Sequence, residues 1–134
     1  MPDLIRWTDH GLFCEPGNFF IDPWRPVDRA VITHGHSDHS RPGSTHYLCS
    51  NQSLSLLRAR LPDEAAIESV PYGIEVNHNG IKISFHPAGH ILGSSQIRIE
   101  KDGEVWVVSG DYKTDSDPTC ADFEPIRCHT FITE

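Results

Sequence analysis

Short apolar runs separated by Gly, Pro, Asn and Asp dominate this chain, a pattern of strands joined by tight turns. Residues 12–14 and 19–21 are predicted to form two strands around the turn Glu15-Pro16-Gly17-Asn18. Residues 30–33 (AVIT) form a short β-branched run of the buried-strand kind, and residues 46–49 are a further candidate strand. Ser50 or Asn51 can then cap a helix through LSLLRARL, where Leu54, Leu57 and Leu61 share one face and Pro62 closes the segment. Residues 74–76 and 81–85 alternate apolar with polar around Asn79-Gly80, a strong hairpin signal. Residues 96–100 alternate too, turn at Lys101-Asp102-Gly103 and continue into 105–108, and 130–133 reads as a last strand. The predicted fold class is α/β: a layered, mostly antiparallel or mixed β-sheet with one early helix, not a doubly wound parallel fold.

Length and composition bound the picture without explaining it. The 134 residues fit one domain, and 37% apolar with 22% charged residues is globular and not disordered. No apolar run is long enough to span a membrane, and the first residues have no basic start followed by an apolar stretch, so a cytoplasmic location is expected. A formal charge of −8 argues against non-specific nucleic-acid binding, which needs a basic face. Cys14, Cys49, Cys120 and Cys128 form no C-x-x-C pair and read as reduced and structural. The nine histidines are the anomaly.

His34-Gly35-His36-Ser37-Asp38-His39 follows the AVIT strand directly, placing four metal-competent side chains in six positions. In an extended loop His34 and His36 project to one side, while Asp38 and His39 face a second point. A polar loop whose histidines merely hydrogen-bond is the plainer alternative, and the spacing makes it a poor one. His90, flanked by glycines in PAGHILGSS, and Asp111, at the end of the apolar run VVSGD, fit as remote ligands. Imidazole and carboxylate together suit zinc, with iron or manganese as alternatives. Six ligands in three places imply two metal ions, with Asp111 able to bridge them.

These residues carry a resemblance. THGHSDH, then a separate GH and a GD, each at a strand end, resembles the metallo-β-lactamase superfamily of metal-dependent hydrolases. PAGHILGSS is narrower and resembles the third-histidine motif of the β-CASP nucleases, while FITE resembles the start of their acidic motif, with Glu134 as its carboxylate. The stretch 11–43 further resembles bacterial ligase-associated DNA exonucleases, also described as mRNA 3′-end processing factors. The resemblance implies a metallo-β-lactamase-like αββα sandwich. It also implies one zinc on His34, His36 and His90, a second on Asp38 and His39, and Asp111 between them. Asp22, in IDPW, is either a partner orienting a metal ligand or a turn aspartate before Pro23.

The implied chemistry is phosphodiester hydrolysis by a metal-activated hydroxide, with Asp38 orienting it and Glu134 as a further catalytic carboxylate. Two divalent ions, zinc or manganese, would bring the formal charge from −8 to −4 and concentrate positive charge at the cleft. Arg41 and Lys113 are candidate phosphate contacts, Arg25 a weaker one, and no stripe of aromatic and basic residues for stacking bases is evident. The expected partner is nucleic acid, DNA ahead of RNA, with DNA repair, association with a DNA ligase and RNA processing as the family's settings. β-CASP enzymes carry two later histidine motifs that this chain lacks. Residues 1–134 are therefore expected to be the amino-terminal part of the hydrolase domain, without the β-CASP cap or carboxy-terminal half, and inactive alone. The alternatives are an RNA-processing ribonuclease, an inactive zinc-binding fragment, and a thioester or lactam hydrolase of the same fold.

Overall fold

The computed structural model describes residues 3–133, and in it the apolar runs assemble into two facing sheets. The elements of the first sheet are β1 (Arg6–Thr8), β2 (Gly11–Cys14), β3 (Phe19–Ile21), β4 (Arg29–Val31), β5 (His46–Ser50) and β6 (Ala66–Val70), in that spatial order. The second sheet holds β7 (Val76–His78), β8 (Ile81–Pro87), β9 (Ser95–Lys101), β10 (Glu104–Val108) and β11 (Thr130–Ile132), in the order β11-β10-β9-β8-β7. A helix, α1 (Leu54–Arg60), connects β5 to β6 and is the one α-helix among the described residues.

Both sheets are mixed. Strands β1 to β3 pair antiparallel, but β3, β4, β5 and β6 run parallel, and β11 adds to β10 in parallel. The Asn79-Gly80 hairpin joins β7 to β8 as predicted, both turn residues carrying the positive φ of a tight strand-matching turn. Ser50 caps the helical segment: its hydroxyl accepts from the backbone N–H of Ser53. Two strands were not predicted. Strand β1 is a three-residue edge strand, and β6 alternates correctly but sends only Val70 into the core. Conversely, the expected strand at 74–76 begins only at Val76, and Ile74 is exposed.

Side-chain alternation explains the layering. Leu12, Cys14, Phe19, Ile21 and Val31 from the first sheet meet Ile81, Ile83, Phe85, Ile97, Ile99, Trp106 and Val108 from the second in one continuous core. Ala30 of β4, Ile32 just after it, and Tyr47 and Cys49 of β5 pack with Leu57 of α1 and with Leu61 just after the helix, a smaller second core. Each such large apolar side chain contributes roughly 1.5–3 kcal/mol on burial, which fixes the register of both sheets.

Candidate metal centre

Because β3 and β4 are parallel, their carboxy-terminal ends emerge on the same edge of the first sheet, and the pairing continues past both as Asp22 N–H donates to the Val31 carbonyl at 3.0 Å. The second sheet meets that edge at Thr33. The Ser95 N–H donates to the Thr33 carbonyl at 2.7 Å, and a Cβ on Gly110 would lie 2.7 Å from Thr33 Cβ. Gly110, at φ +59°, is therefore required both by its backbone conformation and by the close approach that delivers Asp111 to the loop after β4. His90 arrives from the β8–β9 connection. There the Ser94 hydroxyl accepts from the His90 and Ile91 N–H groups, and the Gly93 carbonyl accepts from the hydroxyls of Ser50, Ser53 and Ser95.

These segments converge on one carboxylate oxygen. Asp111 Oδ2 lies 3.5 Å from His34 Nε2, 3.6 Å from His39 Nε2 and 3.7 Å from His90 Nε2. His90 Nε2 is 3.4 Å from His36 Nδ1, and Asp38 Oδ2 is 3.5 Å from His39 Nε2. His34, His36, His90 and Asp111 each offer a ligand atom, all within 4.8 Å of one another. So far the structure brings together all six residues expected to bind metal.

Hydrogen bonds fix which nitrogens face the cluster. The Thr33 hydroxyl donates to Asp22 Oδ2, so at 3.0 Å it accepts from His34 Nδ1–H. That leaves His34 Nε2 as a bare lone pair, fully buried and without a hydrogen-bond partner. Asp22 Oδ2 also accepts from His39 Nδ1–H at 2.7 Å, which turns the lone pair of His39 Nε2 toward Asp38 and Asp111. Burial, and next the neighbouring His39, His90 and His36, push the His34 pKa down to about 3, so its imidazole is neutral. Burial lowers His90 as well, against an opposing pull from Asp111. A buried lone pair with no donor, beside two further imidazoles and a carboxylate, fits a divalent cation.

Asp22 also lies close enough to His34 and His39 to act as a ligand. Three donors nevertheless already occupy it, the Thr33 N–H on Oδ1 at 2.8 Å and the Thr33 hydroxyl and His39 on Oδ2. Burial raises its pKa, while the hydrogen bonds from His39 and Thr33 hold it down. Asp22 sits at φ +47°, a conformation Asp tolerates better than most residues, and so aims its carboxylate sideways from the strand end.

The remaining expected residues are less engaged. The Asp38 side chain is 69% exposed. Arg41 is exposed and its Nε donates to the Asp38 carbonyl at 3.3 Å. Lys113 Nζ lies 3.9 Å from Asp117 Oδ2, and Arg25 is exposed with no ion pair among the described residues. Glu134 lies outside the described residues. Thr33 was not singled out in the sequence; its position directly before His34 was the available signal.

No family model matches the chain. Among curated proteins it is 35% identical over 118 residues to a probable DNA ligase of Opitutus terrae, covering 84% of this chain and 11% of that protein. Over 70 residues it is 36% identical both to the cleavage and polyadenylation specificity factor subunit 3 of Dictyostelium discoideum and to the endoribonuclease YSH1 of Saccharomyces cerevisiae, covering 51% of this chain and 9% of each. The chain thus spans about a tenth of the length of these relatives. A Cronobacter sakazakii metallo-β-lactamase HARLDQ motif mutant superposes with TM-score 0.55 at 11% identity, over 85% of this chain and 57% of that one. A protein of unknown function from Enterococcus faecalis superposes with TM-score 0.57 at 16% identity, over 64% and 25%.

Proposed function

Since this chain carries the amino-terminal part of the metallo-β-lactamase/β-CASP fold, we propose that its histidine–aspartate cluster is the metal centre of a nuclease that hydrolyses phosphodiester bonds. One observation carries the reading: a single carboxylate oxygen, Asp111 Oδ2, stands 3.5–3.7 Å from three histidine nitrogens contributed by two different loops. Such a carboxylate would be available to both groups of candidate ligands. In this reading His34, His36 and His90 hold one zinc ion, Asp38 and His39 hold a second, and Asp111 lies between. Bound there, two such ions supply an activated water and a clamp for the phosphate oxygens.

The chain's own residues do the rest. Asp22 and Thr33 set the tautomers of His39 and His34, so neither imidazole needs to reorient when a cation enters. Asp38, exposed and adjacent to His39, would orient the water that attacks the phosphodiester. Arg41 reaches the Asp38 carbonyl, and Lys113 is the second candidate phosphate contact. Glu134 belongs to this reading as a catalytic carboxylate. In this reading the two sheets and α1 belong to an αββα sandwich of the metallo-β-lactamase kind, of which the β-CASP cap and the carboxy-terminal half would be further parts.

DNA is the favoured substrate, because the likeness to the protein named a DNA ligase covers 84% of the chain, against 51% for the two relatives named for RNA processing. Those two favour the second reading, a ribonuclease. The test combines metal analysis with hydrolysis of end-labelled single-stranded DNA and RNA by the full-length protein. Two zinc ions per chain and DNA cleavage lost in His36→Ala are expected. Absence of bound metal, or turnover of thioesters with none of phosphodiesters, would sink the reading.

A further inference from the structure

The structure assembles on one rim a group that the sequence keeps apart. Trp7, on edge strand β1, and Trp24, two residues past Asp22, stack with ring centroids 5.5 Å apart and planes inclined by 24°. Trp7 pairs in register with the buried Leu12, yet at the sheet edge it is 66% exposed, and Trp24 is 42% exposed. The pair is held in place. Trp24 Nε1–H donates to the Asp9 carbonyl at 2.8 Å, and its backbone N–H donates to the His10 carbonyl at 3.1 Å. One face of each indole is spent on the other, and most of Trp7 remains exposed. Two indoles left on a surface forgo the stabilisation that burial would give, and rigid aromatic faces of this kind characterise binding sites.

Their position relative to the metal centre gives the arrangement a direction. Asp22 touches His39, and Trp24 follows two residues later, within about 7 Å of chain reach. Arg25 comes next. The segment holding it abuts the one holding Arg41: a Cβ on Gly43 would stand 2.9 Å from Pro26 Cγ, and the Ser44 hydroxyl accepts from the Val27 N–H at 3.1 Å. Arg41 in turn reaches the Asp38 carbonyl. Neither arginine forms an ion pair among the described residues. The stacked indoles, the segment holding Arg25, the segment holding Arg41 and the metal-binding loop therefore follow one another by chain connection or contact.

We propose that Trp7 and Trp24 are a stacking platform for the bases of a single-stranded polynucleotide, whose backbone Arg25 and Arg41 carry toward the metal centre. The proposal rests on the nuclease reading for what happens at the end of the track, but not for binding itself. A base has a π-face whatever its identity, so stacking is sequence-tolerant, and anionic phosphates match the arginines. The platform selects single strands, because bases paired in a duplex present no free face.

Binding can be read from the indoles themselves. The third tryptophan, Trp106, is buried with its Nε1–H on Glu104, so it gives a constant background. A phosphorothioate-linked dT oligonucleotide of about 12 residues, spanning the usual single-strand site sizes, is titrated against the protein with fluorescence as readout. Quenching is expected, with affinity falling at least about fivefold in Trp7→Ala and in Trp24→Ala. Trp24→Phe keeps a ring but loses the N–H that pins the hairpin, so it is expected to retain most of the affinity. Arg25→Gln and Arg41→Gln should each lower the slope of log affinity against log salt by about 0.7. Equal binding by wild type and both alanine variants while DNA cleavage persists overturns the platform and leaves the nuclease intact. Loss of binding in Trp24→Phe equal to that in Trp24→Ala, with a lowered melting temperature in both, makes the pair a structural pin and overturns it too. Tryptophan-dependent binding without any hydrolysis by the full-length protein upholds the platform and removes the nuclease.

Discussion

The carboxylate of Asp22 stands 2.7 Å from Nδ1 of His39 and, through the hydroxyl of Thr33, also governs His34. One side chain therefore sets the proton positions of two candidate ligands. Asp22→Asn keeps the shape but replaces acceptor lone pairs with an N–H donor, which forces one histidine to the wrong tautomer. Zinc affinity is expected to fall about 10–100-fold, measured by competition with a chelator of known affinity. Unchanged affinity would show that the carboxylate is only a turn residue.

A second prediction concerns the loop that delivers His90. The Gly93 carbonyl gathers three serine hydroxyls, and at φ +79° a Cβ there would come within 2.6 Å of the Gln52 backbone. Gly93→Ala must move that loop away from the start of the helical segment. A stability loss of about 1–3 kcal/mol in urea unfolding is expected from the strained conformation alone. Gly80→Ala, whose added Cβ meets nothing within 4 Å, provides the comparison for strain without collision and should cost less.

The thiols separate into two classes. Burial pushes Cys14 up to about 11 and Cys49 up to about 12, and both lie within the packed cores, whereas Cys120 and Cys128 are half-buried. An aromatic disulfide reagent at pH 8 should therefore label two thiols quickly in the native chain and four in denaturant. Rapid labelling of all four without denaturant would mean that the core is open.

Stability of the metal-free chain should fall on the acid side. Burial pushes His34 from its ordinary value of 6.5 down to about 3 in the folded chain, so below pH 6.5 the unfolded chain takes up a proton that the folded chain refuses. The contribution is fully present above pH 6.5 and is lost as pH falls toward 3, with a slope of at most about 1.4 kcal/mol per pH unit. His90 acts in the same direction. Urea midpoints at pH 7.5, 5.5 and 4.5 measure this, and a flat profile would contradict the burial of a neutral His34.

What could be read from sequence followed from how local each signal was. His34, His36, Asp38 and His39 lie within six positions, so a strand-to-loop exit alone brings them together, and the Asn79-Gly80 hairpin is fixed by two residues. The parallel pairing of β3 to β6 was not legible, because alternation within a strand says nothing about the direction of its neighbour. Asp22 stayed ambiguous between turn and positioning roles, since only the fold places it against His39, 17 residues away. The aromatic rim was missed altogether: Trp7 and Trp24 are equally distant in sequence and belong to no periodic pattern, and only the edge strand β1 sets one against the other.

The candidate ligands are divided between the two sheets, with His34, His36, Asp38 and His39 following β4 of the first, and His90 and Asp111 hanging from β8–β9 and β10 of the second. A cation held by this cluster would consequently tie the two sheets together. Bound to the native state alone, and with free ion a thousandfold above its dissociation constant, it adds about 4 kcal/mol against separation of the sheets. Metal availability would then set how much of the chain stays folded.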